Sequence, residues 1–250
     1  MKRILVPVNT AAGSQLAVDA ARNLASTFGA TVELVHVDEG RPVEAEIQLT
    51  EGKRRLDQTG VANRIVRLEG GKVGVQLAEQ AAGADLVVIR SEAHRAQGAE
   101  TGQVRSTTLS VLKRSPCPLL AITVRSTSLL NPLFGYNGSP QSRAAIASAL
   151  ACLAPTLVRK GTVMVVTSDE HMAERLAAEI QTLGAEHGVA LDLHWSAGKP
   201  GRALKQRIKS GRHDLLVIGA LGRSWLKEQL FGSTTNDMLR HCPVPIWMDK

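Results

Sequence analysis

The stretch from Leu215 to Thr235, LLVIGALGRSWLKEQLFGSTT, decides how the chain is read. Its first four residues, Leu215-Leu216-Val217-Ile218, form an apolar run of the kind found in strands buried on both faces. Gly219 and Gly222 follow, nine residues separate Gly222 from Gly232, and Gly232-Ser233-Thr234-Thr235 opens a helical segment that ends near His241. Glycines at 219 and 222 permit a sharp turn and let a phosphate approach with no Cβ in the way. Gly232 and Ser233 place free N–H groups at a helix N-terminus, where anions are favoured. Ser233, Thr234 or Thr235 would cap that helix or meet a phosphate oxygen, and Arg223 and Lys227 add positive charge. A glycine pair alone reads as a plain turn, and Ser233 alone as an ordinary helix cap.

Working outward, the chain matches itself at about half its length. Ile4-Leu5-Val6-Pro7-Val8-Asn9 lies over Pro132-Leu133-Phe134-Gly135-Tyr136-Asn137, and Ser14 and Ser142 each come five positions after the asparagine. Ala30 to Val35 lies over Gly161 to Val166, followed by Asp38-Glu39 and Asp169-Glu170. Arg105-Ser106-Thr107-Thr108 lies over Gly232-Ser233-Thr234-Thr235, and Pro116-Cys117-Pro118 over Pro243-Val244-Pro245. A period this long exceeds that of solenoid repeats, so each copy is expected to be a whole domain, 1–124 and 132–250, with the polar segment 123–131 as linker.

Short apolar runs alternate with helical periodicity in both copies, which is the pattern of a parallel sheet covered by helices. Strands are expected near 3–9, 31–37, 62–68, 86–90 and 118–123, and again near 132–137, 162–168, 191–196, 214–218 and 244–248. In the first helix Ala17, Ala20, Ala21 and Leu24 recur at helical spacing and form a narrow apolar stripe. The expected fold class is α/β, two tandem doubly wound five-stranded parallel-sheet domains of Rossmann-like type. Ligands of such sheets bind beyond the carboxyl ends of the strands where the winding reverses, so the loops after the first and fourth strands carry the function.

Composition narrows the classes further. Thirty Lys and Arg against 23 Asp and Glu give a net charge of +7, which favours a phosphate-bearing ligand, while 3% aromatic residues leave few rings for stacking nucleic-acid bases, and no nucleic-acid partner is expected. No apolar run approaches the roughly 20 residues of a membrane span, and no membrane association is expected. The N-terminal Ile4 to Val8 run, broken by Pro7, reads as a first strand and not as a secretory segment. Cys117, Cys152 and Cys242 are odd in number and widely spaced, which fits a reducing cytoplasm. Histidine and cysteine spacing gives no metal motif, and His36, His171 and His194 read as packing or surface residues. Walker A, G-x-S-x-G and G-x-G-x-x-G patterns are absent.

The loop resembles the universal stress protein family, whose nucleotide-binding members carry G-x2-G-x9-G-[S/T] after the fourth strand. Gly219, Gly222, Gly232 and Ser233 match all four fixed positions, and the resemblance covers nearly the whole chain as two tandem copies. It implies an adenine nucleotide, ATP alone or with Mg2+, whose phosphates meet Gly219, Gly222, Gly232 and Ser233, with Arg223 and Thr234 close by. It also implies that Tyr136-Asn137 and Thr167-Ser168 lie beside the adenosine. Family domains pair through their last strands. Here the resemblance implies that Leu119 to Val124 and Val244 to Met248 pair within one chain, with a homodimer as a further assembly and protein partners of unknown identity.

Two departures qualify the transfer. Asn9 and Asn137 stand where ATP-binding relatives usually have Asp, which keeps an acceptor and adds a donor, and an Asx turn is an equal reading of both. In the first copy the loop runs from Arg90-Ser91-Glu92-Ala93-His94 to Arg105-Ser106, two residues longer, with Arg90 and Arg105 in place of Gly219 and Gly232. That copy is expected not to bind ATP in the family manner; its arginines would pair with Glu92 or hold a smaller anion. Lys199-Pro200-Gly201 reads first as a turn leading into a helix, with a helix N-terminus aimed at the same crevice as the second reading. The expected function is nucleotide-dependent regulation in the stress response, with at most slow ATP hydrolysis and no nameable catalytic residue. The alternatives are a ligand-free interaction scaffold and an enzyme of the same fold.

Overall fold

The computed structural model describes residues 1–10, 13–91, 107–123, 128–154, 156–220 and 233–250. The chain divides into two compact units, Met1–Thr127 and Ser128–Lys250. In the first, β1 (Arg3–Pro7), α1 (Ser14–Phe28), β2 (Thr31–Val37), α2 (Pro42–Asp57), β3 (Asn63–Leu68), α3 (Val73–Gln80), β4 (Leu86–Arg90), α4 (Thr107–Arg114) and β5 (Leu119–Ile122) follow in order. The second repeats the plan with β6 (Pro132–Tyr136), α5 (Pro140–Leu153), β7 (Lys160–Val166), α6 (Glu170–Glu186), β8 (Ala190–Ser196), α7 (Pro200–Gly211), β9 (Leu215–Gly219), α8 (Ser233–His241) and β10 (Ile246–Asp249). Among the described residues no helix is long and apolar enough to cross a membrane.

Each unit is a five-stranded parallel sheet, ordered β3-β2-β1-β4-β5 in the first and β8-β7-β6-β9-β10 in the second. The winding reverses between β1 and β4, and between β6 and β9, where crevices open beyond the strand ends. The central strands are apolar because helices cover both faces: Ile4, Leu5, Val6, Leu86, Val87 and Val88 are buried in one unit, and Leu133, Phe134, Leu215, Leu216 and Val217 in the other. The small stripe of α1 is buried, as its spacing requires, and the helix ends on Gly29, whose left-handed φ of 66° lets its N–H reach the Ala25 carbonyl. In α5, Ser139 caps the helix by accepting from the Ser142 N–H at 3.1 Å, and Pro140 takes the first turn, where no N–H is needed.

The ladder corrects the internal alignment at one strand. Val35 pairs with Pro7 and Met164 with Gly135, so Val35 corresponds to Met164 and not to Val166. The shift is two residues. Because strand side chains alternate with period two, a two-residue slip leaves every side chain on its original face, and an apolar pattern cannot detect it.

One polar residue inside a strand has a structural use. Glu33 of β2 is 2% exposed and is held by two arginines from the neighbouring strands. Arg3 Nη2 donates to Glu33 Oε2 at 2.9 Å, and Arg64 Nε donates to Oε1 at 2.8 Å. Burial alone would raise the carboxyl pKa, but the hydrogen bonds from Arg3 and Arg64 outweigh it and hold the value below the usual range. A depressed folded-state pKa means that the stabilisation is present above the unfolded-state value near 4.3 and is lost as pH falls through the folded one. Glu33→Gln is therefore expected to cost about 2 kcal/mol at pH 7, with the gap from the parent protein closing below about pH 4, as read by urea unfolding at both pH values.

Candidate nucleotide site

The second unit holds a crevice of about 220 Å³ at its switch point. Its floor is the end of β6, its walls are Met164 and Val166 of β7, Pro200 and Leu204 of α7, and Ile218 and Gly219 of β9, and Thr234 and Thr235 of α8 close one end. Gly135 makes the room: a Cβ there would sit 3.0 Å from Ile218 Cγ2 and 3.5 Å from Leu204 Cδ2. At the α8 end, the positive pole of the helix faces the cavity together with two hydroxyl residues, an arrangement that favours an anion. The described lining contains no Asp, Glu, His, Lys or Arg. Tyr136 is the ionisable group there. Its hydroxyl donates to Glu179 Oε2 at 2.6 Å, and burial together with that carboxylate pushes its pKa up to about 12, so it stays neutral.

Asn137 lies at the rim, where its Oδ1 accepts the Ser139 N–H at 3.1 Å. This is an Asx turn that positions Ser139 to cap α5, and it leaves the side-chain amide N–H groups pointing to no partner among the described residues. Gly219 also lines the crevice, and its missing Cβ has a packing reason as well. A Cβ there would lie 2.5 Å from the Gln141 carbonyl carbon and closer still to the Ser142 nitrogen. Glycine at 219 lets β9 end against the first turn of α5.

Thr167 and Ser168 sit outside this lining. Thr167 accepts the Asp169 N–H at 3.0 Å on its hydroxyl, and Ser168 is exposed on the loop after β7. Gly222, Arg223 and Gly232 lie outside the described residues, and Ser233 is described only as the first residue of α8. The sequence brought Asn137, Gly219 and Thr234 to one crevice. It missed Gly135 and Leu204; a glycine inside a buried strand was the signal available for Gly135.

The equivalent crevice of the first unit is about 50 Å³. Pro7 replaces Gly135 and Arg90 replaces Gly219 in its lining. Arg90 Nη1 donates to the Ile122 carbonyl at 2.8 Å, and its Nε and Cγ pass within 3.8 and 3.9 Å of where Gly13 would carry a Cβ. Room for Arg90 comes from α1, which begins at Ser14, whereas α5 already includes Pro140 and Gln141. Ser14 Oγ donates to Asn9 Oδ1 at 2.6 Å, so the strand-end asparagine is engaged by its own helix. His36 lines the same crevice with Nδ1 2.8 Å from the Val8 carbonyl, as a packing histidine would.

The sequence profile of the universal stress protein family matches residues 1–123 and again residues 132–250. The chain belongs to the universal stress protein family. Universal stress protein Slr1230 of a Synechocystis strain is 24% identical over 208 residues, which cover 81% of this chain and 71% of that protein. A crystal structure of a universal stress protein from Archaeoglobus fulgidus aligns with a TM-score of 0.80 at 18% identity, over 99% of this chain and 98% of that one. A putative universal stress protein from Pseudomonas aeruginosa aligns at 0.73 with 19% identity, over 100% of this chain and 93% of that one. At these identities the solved structures establish the universal stress protein fold, and the ligand is argued from the crevice.

Proposed function

We propose that this universal stress protein is a regulatory adenine-nucleotide binder that holds one ATP per chain in its second unit, in service of a stress response. The carrying observation is the contrast between two crevices at the same switch point, about 220 Å³ with Gly135 and Gly219 against about 50 Å³ with Pro7 and Arg90. The larger crevice is below the roughly 300–1,000 Å³ of whole small-molecule sites, so it suits a base and ribose and not a complete triphosphate. Met164, Val166, Leu204 and Ile218 offer apolar walls to the base, and the free amide of Asn137 offers a donor to a ribose oxygen. Thr234 and the start of α8, with Gly222, Arg223, Gly232 and Ser233 preceding it, would meet the phosphates. Thr167 and Ser168 would contribute only at the outer edge of the adenosine.

The described lining is apolar and hydroxyl-bearing, and the reading takes the nucleotide as a bound effector and not as a substrate. ATP would then act as a conformational ligand. Denaturing the purified protein and identifying the released nucleotide by mass spectrometry is the direct test, together with titration calorimetry of Gly232→Arg, which copies what the first unit carries at Arg105. Close to one adenine nucleotide per chain and at least tenfold weaker binding in the variant are expected. No released nucleotide and no heat with ATP would leave the scaffold reading in its place.

A further inference from the structure

The positive charge of the second unit is concentrated on one helix. Residues 128–250 contain 14 Lys and Arg and 10 Asp and Glu, a net of +4, yet the segment from Lys199 to Arg212 alone carries +6 with no acidic residue. The rest of the unit is therefore net −2. Within α7, Leu204 and Ile208 are buried, and Arg202, Lys205 and Lys209 recur at intervals of three and four residues away from them, with Arg212 at the left-handed residue that ends the helix. Lys205 meets Asp237 of α8 at 3.0 Å, and the same carboxylate takes His241. Among the described residues, Lys199, Arg202, Lys209 and Arg212 have no ion-pair or hydrogen-bond partner for their side-chain cations, and all four are exposed.

The fold does not need this charge. The counterpart helix α3 covers the first unit's sheet from the same place in the chain with Glu79 as its one charged residue. Like charges one turn apart on a helix repel, so α7 carries a small stability cost that its counterpart avoids. We infer that the exposed side of α7 is a docking surface for an acidic helical segment of a protein partner. The cations stand about 4.5–6 Å apart along the axis, over about 15 Å from Arg202 to Arg212. Because they stand in a row and do not converge, they match a row of separate single charges, such as carboxylates at every third or fourth position of a facing helix. No aromatic residue lies between 199 and 212 to stack a base. Since Pro200 and Leu204 of the same helix wall the crevice, the docked partner would sit against an element that the crevice's ligand also touches.

The inference stands apart from the nucleotide reading and is tested apart from it. Fluorescence anisotropy would use a labelled alanine-based peptide of about 20 residues with Glu on one helical stripe, and a second peptide of equal composition with Glu spread around the helix. An oligonucleotide of about 20 bases and phosphatidylserine vesicles serve as competing polyanions. The striped peptide is expected to bind the full-length protein best, to weaken several-fold as salt rises from about 50 to about 200 mM, and to lose at least tenfold in Arg202→Glu/Lys209→Glu. No binding of the striped peptide, equal binding of the two peptides, tighter binding of the oligonucleotide or the vesicles, or no loss in the double variant would overturn it. Nucleotide release from the same preparations reports on the crevice independently.

Discussion

Gly219→Ala is expected to destabilise the second unit by about 3 kcal/mol, seen as a lower urea midpoint with an unchanged slope. The added methyl would press into the Gln141 and Ser142 backbone, which cannot rotate away as a side chain would. Relief requires the first turn of α5 to move, and that turn is fixed by the Ser139 cap, the Asn137 Asx turn and Pro140. Movement there would also disturb Ser139, Gln141 and Ser142, which line the crevice, so ligand affinity should fall with stability. A second variant, Gly135→Ala, separates the two effects: its Cβ would meet side-chain atoms of Ile218 and Leu204 at 3.0 and 3.5 Å and backbone only at 3.6 Å, so it should cost less stability than Gly219→Ala while narrowing the crevice directly. An alanine at 219 that left the midpoint unmoved would show that α5 does not press on β9 as described.

Trp247→Ala is expected to cost about 4 kcal/mol, the largest loss foreseen for a single side chain here. Trp247 of β10 is wholly buried, and its Nε1 donates to Ser148 Oγ of α5 at 3.1 Å. Alanine would leave a void under α5, whose Gln141 and Ser142 line the crevice. Trp247→Phe keeps most of the apolar contact and loses the one hydrogen bond, so about 1 kcal/mol is expected from it. Urea unfolding followed by circular dichroism distinguishes the two; equal losses would mean that the hydrogen bond, and not the buried ring, dominates.

The strands were legible because covered parallel strands are apolar throughout, and the runs at Ile4 to Val8, Leu86 to Ile89 and Leu215 to Ile218 carry that signal unaided. The first helix was legible from its alanine stripe. Glu33 was not, since its two arginines sit 30 and 31 residues away in sequence and nothing local tells a buried carboxylate from a surface one. The site divides similarly. Gly219 and Thr234 were singled out by the loop's spacing, and Asn137 by the family resemblance. The packing requirement at Gly219 depends on a backbone contact 77 residues away, and Leu204 reaches the crevice only through the packing of α7 on β7. Spacing fixes what is near in sequence, while walls contributed by other elements emerge only when the chain is folded.

The reciprocal exchange of Gly13 with Arg90, against Gln141 with Gly219, has a bearing on how the halves diverged. An arginine placed at 219 alone would collide with the helix beside it, and a glycine placed at 90 alone would leave an unfilled gap beside another glycine. A side chain at 13, by contrast, would meet Arg90 at ordinary contact distance. The barrier is therefore one-sided: the half that keeps glycine at the end of its fourth strand has its helix start pressed against that glycine and cannot take a larger residue there, whereas the half that carries arginine has already withdrawn its helix start by two residues.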